Sequence, residues 1–108
     1  MSNLASTFKL PYYAVVFASE RTEGENGYGN MAAKMVELAS NQKGYLGVES
    51  ARDSNSGITV SYWESLDDIA AWKANAAHQI AQERGKKEWY SRFVVRISKV
   101  ERDYSFEI

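Results

Sequence analysis

The middle of the chain predicts a β-hairpin, and no other feature constrains the fold as strongly. Two extended segments, Tyr45–Ser54 and Ile58–Trp63, adjoin the stretch Asp53–Gly57, which ends in a glycine and has a length that suits a hairpin turn. Their apolar side chains alternate with polar ones, as in strands that are buried on one face. Because strands joined by so short a turn pair antiparallel, the sheet that contains them must be at least partly antiparallel.

One helix and one further strand are predicted on each side of this hairpin. The stretch Tyr12–Ser19 is short and rich in β-branched and aromatic residues, and Phe93–Tyr104 alternates in the same way. Apolar residues recur at helical spacing from Tyr28 to about Asn41 and from Leu66 to about Arg84. The order β-α-β-β-α-β predicts a ferredoxin-like α+β subunit, with four antiparallel strands and both helices on one face of the sheet.

The length and charge of the chain limit its organisation and its partners. The 108 residues suit one domain, residues 1–108 with a core of about 12–104, since domains typically have roughly 100 to 150 residues. The net charge of -1 gives no basic excess for binding nucleic acid. No stretch approaches the ~20 apolar residues of a membrane helix, and no signal peptide is recognised at the N-terminus. We therefore expect a cytoplasmic protein without nucleic-acid or membrane partners.

The inventory of reactive side chains is short. The chain has no cysteine and one histidine, which excludes disulfides, thiolate zinc sites, iron–sulfur clusters, cysteine nucleophiles and multi-histidine metal sites. Any chemistry must use oxygen, imidazole or aromatic groups. We therefore expect neither a bound metal nor another cofactor.

Aromatic residues make up 13% of the chain, with seven Tyr, four Phe and three Trp. A domain of this size buries only about 60 to 70% of the surface of its unfolded chain, so rings in this number must occupy a core, a pocket wall or a subunit interface. In a sheet with helices on one face, the other face also carries apolar residues. This predicts a homodimer formed through that sheet face.

Three runs of the sequence resemble the antibiotic biosynthesis monooxygenase family: YLGVES at 45–50, GITVSYWES at 57–65 and AWKANAAH at 71–78. The likeness extends from about residue 12 to 104. It implies a dimeric α+β barrel with a pocket between each sheet and its own helices. The family includes cofactor-independent oxygenases, quinol oxygenases and heme-degrading enzymes. Heme breakdown is not expected, because the asparagine that those enzymes carry on the first strand is absent from Tyr12–Ser19.

His78 is the candidate catalytic residue. It is the sole imidazole, and its ordinary pKa of about 6.5 suits proton transfer near neutrality. A helical wheel, at roughly 100° per residue, places it about 140° from the apolar stripe centred near Ile80. A surface or boundary position is therefore the alternative to a catalytic one.

Five apolar or aromatic residues are candidates for substrate binding. Trp63 and Trp72 flank the start of the second helix and could hold a flat ring by stacking. Each of the five could equally be part of the core, and for the methionine a helix core face is the simpler interpretation. The candidates are Trp63, Trp72, Tyr13, Phe17 and Met35.

The function that these observations imply is that of a monooxygenase acting on a small, apolar, electron-rich aromatic such as a phenol, a quinol or an anthrone. The alternative is a noncatalytic homodimeric module that binds a small molecule, or a stress-related protein. Function resides in the site rather than in the fold, so the resemblance does not specify a substrate.

Overall fold

A computed structural model of the chain describes residues 4–24, 28–78 and 89–108, without the side chains of residues 28, 30, 31 and 76–78. The predicted order of elements is confirmed in these residues, and with it the ferredoxin-like α+β class. The elements are β1 (Tyr12–Arg21), α1 (Tyr28–Ser40), β2 (Tyr45–Arg52), β3 (Ser56–Trp63), α2 (Leu66–His78) and β4 (Tyr90–Val100).

The four strands form one antiparallel sheet in the order β2-β3-β1-β4. The first strand lies in the middle, so that β3 and β4 pair with its two edges. Side chains of β1 alternate as predicted, with Val15 on the face that carries the helices and Val16 on the other, which we call the open face. Since cross-strand partners share a face, the register assigns every strand residue to one side.

The strand ends differ from the prediction, and hydrogen bonds explain why. The second strand stops at Arg52 because the Asp53 carboxylate accepts the backbone N–H groups of Asn55 and Ser56, at 2.8 and 2.7 Å, and so starts the turn. The last strand stops at Val100, whose partner Tyr12 is the first residue of β1. Beyond that point, residues 101–104 have no neighbouring strand.

A serine begins α2, as predicted. The Ser65 hydroxyl accepts the backbone N–H of Asp68 at 3.1 Å and donates to its carboxylate at 2.8 Å. Ile69 is buried, but Leu66 and Ala70, which were expected in the core stripe, are exposed. The reason is that Asp68 is itself buried, which turns these two neighbours outward. The predicted continuation of α2 to Arg84 lies outside the described residues.

The hydrophobic core lies between the sheet and the helices. Ala39 of α1, Trp63 of β3 and Ile69 of α2 form its buried centre. Trp63 is 0% exposed, so both helices are held against the inner end of the hairpin. In the part of the chain that the structure describes, no helix is long and apolar enough to cross a membrane.

Gly44 is a position where only glycine fits. Its φ of +84° lies in the left-handed region, and a Cβ there would lie 2.0 Å from Oδ2 of Asp68. We expect Gly44→Ala to lower the free energy of unfolding by about 2 kcal/mol, measured by urea denaturation with tryptophan fluorescence. In an Asp68→Ala background the loss should shrink, while Lys43→Ala should change little. Equal midpoints for Gly44→Ala and the unmodified chain would contradict this expectation.

Candidate functional site

The helix face of the sheet carries an aromatic cluster around Trp63. The indole of Trp63 stacks on that of Trp72 in α2, with ring centres 6.1 Å apart and an angle of 21° between the planes. Tyr45 packs edge-on against Trp63 at 5.6 Å, and Tyr13 completes the cluster from β1. Trp72 remains half-buried, so one edge of this cluster is accessible.

A second aromatic cluster lies on the same face, at the other end of the central strand. Phe17 stacks on Phe93 with ring centres 5.4 Å apart, and Tyr90 packs edge-on against Phe17 at 5.3 Å. The side chain of Arg21 lies beyond it and donates to the carbonyl oxygen of Trp89 at 3.0 Å. The two aromatic clusters thus occupy the ends of one continuous apolar surface.

Between these clusters the strands β1 and β4 form an open surface. Val95 pairs with Phe17 and Ile97 with Val15, so their side chains share the helix face. Val95 is 47% exposed and Ile97 is 51% exposed, because the helices pack most closely over β2 and β3. We call Phe17, Val95 and Ile97 the apolar shelf. Its flat, dry floor suits an aromatic ring.

The structure places the five substrate-binding candidates in three groups. Tyr13, Trp63 and Trp72 come together in the first aromatic cluster, where Trp63 is wholly buried and contributes to the core. Phe17 belongs to the second cluster and to the shelf. Met35 is half-buried on α1. The role of these residues in binding stays a prediction.

His78 is the last residue of α2, and its side chain lies outside the described part of the structure. The helix backbone ends there, and residues 79–88 lead on to β4. The histidine's role as a base therefore stays a prediction too.

Polar groups on the described helix face are engaged in hydrogen bonds. The indole N–H of Trp63 donates to the Ser61 hydroxyl at 2.9 Å, and the Arg52 guanidinium donates to the Ser19 hydroxyl. Burial raises the pKa of the Tyr45 phenol, which keeps it protonated at neutral pH. Within residues 4–24, 28–78 and 89–108, no three His, Cys, Asp or Glu side chains gather in a group that could hold a metal ion.

A tyrosine–carboxylate cluster on the open face was missed by sequence reasoning. Tyr12 donates to the Asp103 carboxylate at 2.5 Å, and Tyr62 donates to the Glu49 carboxylate at 2.7 Å. Strand alternation could have placed both tyrosines on one face. Their carboxylate partners could not have been found, because one lies 91 residues away and the other depends on the hairpin register.

An N-terminal arm, residues 4–11, covers this cluster. The backbone N–H of Ala5 donates to Glu49 at 2.8 Å, and the ring of Phe8 packs edge-on against Tyr12 at 5.2 Å. A Cβ on Gly47 would lie 3.2 Å from the Phe8 ring, so a glycine on β2 lets the arm lie close to the sheet. The arm therefore covers one end of the open face and leaves the rest uncovered.

The uncovered end of the open face is a concavity of about 620 Å³. Its floor is apolar, and charged residues stand around it. It does not involve the helices, and none of the predicted site residues lines it. Its lining includes Ala18, Ile58, Val94, Arg92, Arg96 and Asp53.

Comparison with known proteins identifies the family. The family model described as antibiotic biosynthesis monooxygenase matches residues 11–84, which is more than half of the chain. The chain belongs to the antibiotic biosynthesis monooxygenase family. Its sequence is 47% identical over 108 residues to the uncharacterized protein YqjZ of Bacillus subtilis (strain 168), covering 99% of this chain and 95% of that protein.

Solved structures agree with this family fold. SnoaB, a cofactor-independent oxygenase from Streptomyces nogalater, superposes with a TM-score of 0.73 at 10% identity, covering 85% of this chain and 95% of SnoaB. PA3566 from Pseudomonas aeruginosa superposes with a TM-score of 0.67 at 14% identity, covering 91% of this chain and all of PA3566 (100%). At such low identities these likenesses support the family fold and leave the activity to be argued separately.

The two hydrogen-bonded tyrosines should make this family member sensitive to alkali. Burial and then the neighbouring Asp103 raise the pKa of Tyr12 from 10.0 to about 12, and burial and Glu49 also raise the pKa of Tyr62. Above pH 10 the unfolded chain loses the Tyr12 proton while the folded chain keeps it. The free energy of unfolding should therefore fall between about pH 10 and 12, by about 1.4 kcal/mol per pH unit for this residue.

Urea denaturation at a series of alkaline pH values measures this fall. Tyr12→Phe should flatten the decline, whereas Tyr104→Phe, at a side chain that is 98% exposed, should not alter it. Tyrosinate absorbance of the folded protein provides an independent reading of the same titration. A decline that is as steep in Tyr12→Phe as in the unmodified chain would show that Tyr12 is not its source.

Proposed function

We propose that this protein is a homodimeric monooxygenase that uses no metal and no organic cofactor and acts on an electron-rich aromatic such as a phenol, a quinol or an anthrone. The observation that carries the proposal is the apolar shelf, which is half-exposed and lies between two aromatic clusters on the helix face. A flat hydrophobic ring is the ligand class that such a surface accommodates best. Membership of the monooxygenase family supports the reaction class.

The reaction needs little from the protein beyond a dry surface and a base. Dioxygen reacts slowly with neutral closed-shell organic molecules, but an aromatic carbanion or phenolate can transfer an electron to it. For an anthrone, a base removes a proton from the methylene carbon. The carbanion and dioxygen then combine to a hydroperoxide, and loss of water leaves the quinone carbonyl. One oxygen atom enters the product and the other leaves in water, so no external reductant is required.

The groups assigned to these steps follow from their chemistry. His78 is the proposed base, because its imidazole is the group in this chain whose ordinary pKa lies nearest neutrality. Trp63 and Trp72 are proposed to fix the plane of the ring, with Tyr13, Phe17 and Met35 completing the apolar wall. Stacking on the accessible edge of Trp72 would contribute roughly 0.5 to 1.5 kcal/mol beyond the burial of surface.

The proposed homodimer forms through the open face. The uncovered part of that face contains Val16, Ala18, Val60 and Val94, and Ile58, which is 52% exposed. Apolar side chains that are contiguous and uncovered favour association, because burying them removes their surface from water at about 25 cal/mol per Å². A second copy of the same chain is the partner that is always present.

Oxygen uptake tests the proposed reaction. Chelator-treated protein should consume dioxygen with an anthrone or a hydroquinone, and His78→Gln should lower kcat by about 10²- to 10⁴-fold. Trp72→Ala should raise KM by roughly two- to tenfold, as expected from the loss of one stacking contact. Tyr104→Leu, at an exposed aromatic remote from the shelf, serves as the control. Equal rates in His78→Gln would remove the histidine from the mechanism, and no uptake with any of these substrates would exclude the oxygenase.

The second candidate function is noncatalytic binding of a small apolar molecule. It is favoured by the hydrogen bonds that already engage Ser61 and Ser19, which leaves few free polar groups on the described helix face. Quenching of tryptophan fluorescence by a panel of aromatic compounds distinguishes the two functions. Binding without oxygen uptake selects the binding protein. Binding that is accompanied by oxygen uptake selects the enzyme.

A further inference from the structure

Charged residues on the open face are sorted by strand. Glu49 of β2 lies in one cross-strand row with Val60, Val16 and Arg96, so this row runs from an acid at one sheet edge to a base at the other. Two residues further along β1, the row through Glu20 ends at Arg92 on β4. The basic groups of these rows therefore stand on β4, and an acidic group stands on β2.

The turn after β2 continues the acidic edge. The backbone N–H of Asp53 donates to the carbonyl oxygen of Ser56, which pairs with Glu20, so Asp53 extends the row that ends at Arg92. Hydrogen bonds from Ser56 and Asn55 lower the pKa of the Asp53 carboxyl, which is therefore ionised at neutral pH. Asp53, Arg92 and Arg96 all line the concavity.

An apolar row separates the two charged rows. It consists of Ala51, Ile58, Ala18 and Val94, one from each strand of the sheet. Such a row can pack against a second copy of itself without burying a charge. The open face thus has an apolar centre, a basic edge and an acidic edge.

Two sheets that pack face to face with aligned strands leave two directions for a two-fold axis in the plane between them. An axis perpendicular to the strands places β4 over β4 and β2 over β2. Arginine edges then face each other, as do the acidic edges, and like charges brought together in this way cost several kcal/mol. An axis parallel to the strands places β4 of one copy over β2 of the other.

We propose that two copies of this chain pair through the open face about an axis parallel to the strands, so that each basic β4 edge lies over the acidic β2 edge of its partner. In this arrangement Arg96 lies opposite the partner's Glu49 and Arg92 lies opposite the partner's Asp53. The same axis places Val16 over the partner's Val60 and Glu20 over the partner's Ser56. This rests on the proposed homodimer and adds its orientation and its ion pairs.

The N-terminal arm is compatible with this pairing. Glu49 accepts one hydrogen bond at each carboxylate oxygen, from Ala5 and from Tyr62. Each oxygen has a second lone pair, so the carboxylate can still accept a guanidinium. The arm lies over Gly47 at the other end of the face, and it therefore limits the contact to the end with the sorted charges.

Sedimentation velocity of the full chain tests the ion pairs. Arg96→Glu should weaken the dimer at least about tenfold, because the two-fold axis repeats each ion pair. Lys99→Glu is the matched control, since it makes the same charge change on the same strand but on the helix face, opposite Tyr13. High salt should weaken the unmodified dimer and narrow its difference from Arg96→Glu. Equal dissociation constants for Arg96→Glu and Lys99→Glu would overturn the proposal.

Cross-linking tests the orientation, and the absence of native cysteines makes it specific. An equal mixture of Ala51→Cys and Val94→Cys proteins, treated with a short bismaleimide, should yield the mixed cross-linked dimer. Within one subunit these positions are on opposite edge strands, and the two sites are on separate chains in the mixture. Val94→Cys alone should give little cross-linked product. Efficient self-linking of Val94→Cys overturns the orientation, and so does a dimer in which the mixed product does not form.

The outcomes separate this inference from the proposed function. A monomeric unmodified chain overturns both the homodimer and its orientation, whatever the oxygen uptake shows. A stable dimer with self-linked Val94→Cys keeps the homodimer and overturns the orientation alone. Oxygen uptake is measured independently of either result, so failure of the oxygenase leaves the pairing intact.

Discussion

The two stacked indoles of Trp63 and Trp72 hold the helical layer on the sheet. Trp63 is wholly buried at the exit of β3, and the chain turns there directly into α2, which carries its stacking partner. A buried indole and its contacts contribute several kcal/mol, since truncation of Trp to Ala in a core costs about 3 to 5 kcal/mol. Because these rings hold the helices over β2 and β3, the helix face of β4 is left open. The apolar shelf thus follows from where the core is anchored.

The two faces of the sheet differ in how they are covered. On the helix face, aromatic clusters and hydrogen-bonded polar groups surround a surface that suits a flat ligand. On the open face, the arm covers the tyrosines, and an apolar row between charged edges remains. Keeping these surfaces on opposite sides of one sheet lets ligand binding and association use different residues. The proposed oxygenase and the proposed pairing can therefore be tested separately.

Much of the fold could be predicted from the sequence, because strand alternation, helical spacing and the Asp53–Gly57 turn are local signals. The faces of β1 and the serine that begins α2 follow from such signals. The exposure of Leu66 and the end of β4 at Val100 depend on contacts between distant segments, and these were mispredicted. For the site, Trp63, Trp72 and Tyr13 were correctly singled out as aromatic residues in the central layer. The partners of Tyr12 and Tyr62 depend on the register of the sheet, which no local pattern shows.

The paired indoles also have an optical consequence. Two identical chromophores held 6.1 Å apart at a fixed 21° couple their electronic transitions, which produces a split band in circular dichroism. That band exists only while α2 is seated on β3, and it vanishes if either ring turns away. The protein thus carries a built-in, label-free reporter of helix docking, readable on a timescale set only by the spectrometer.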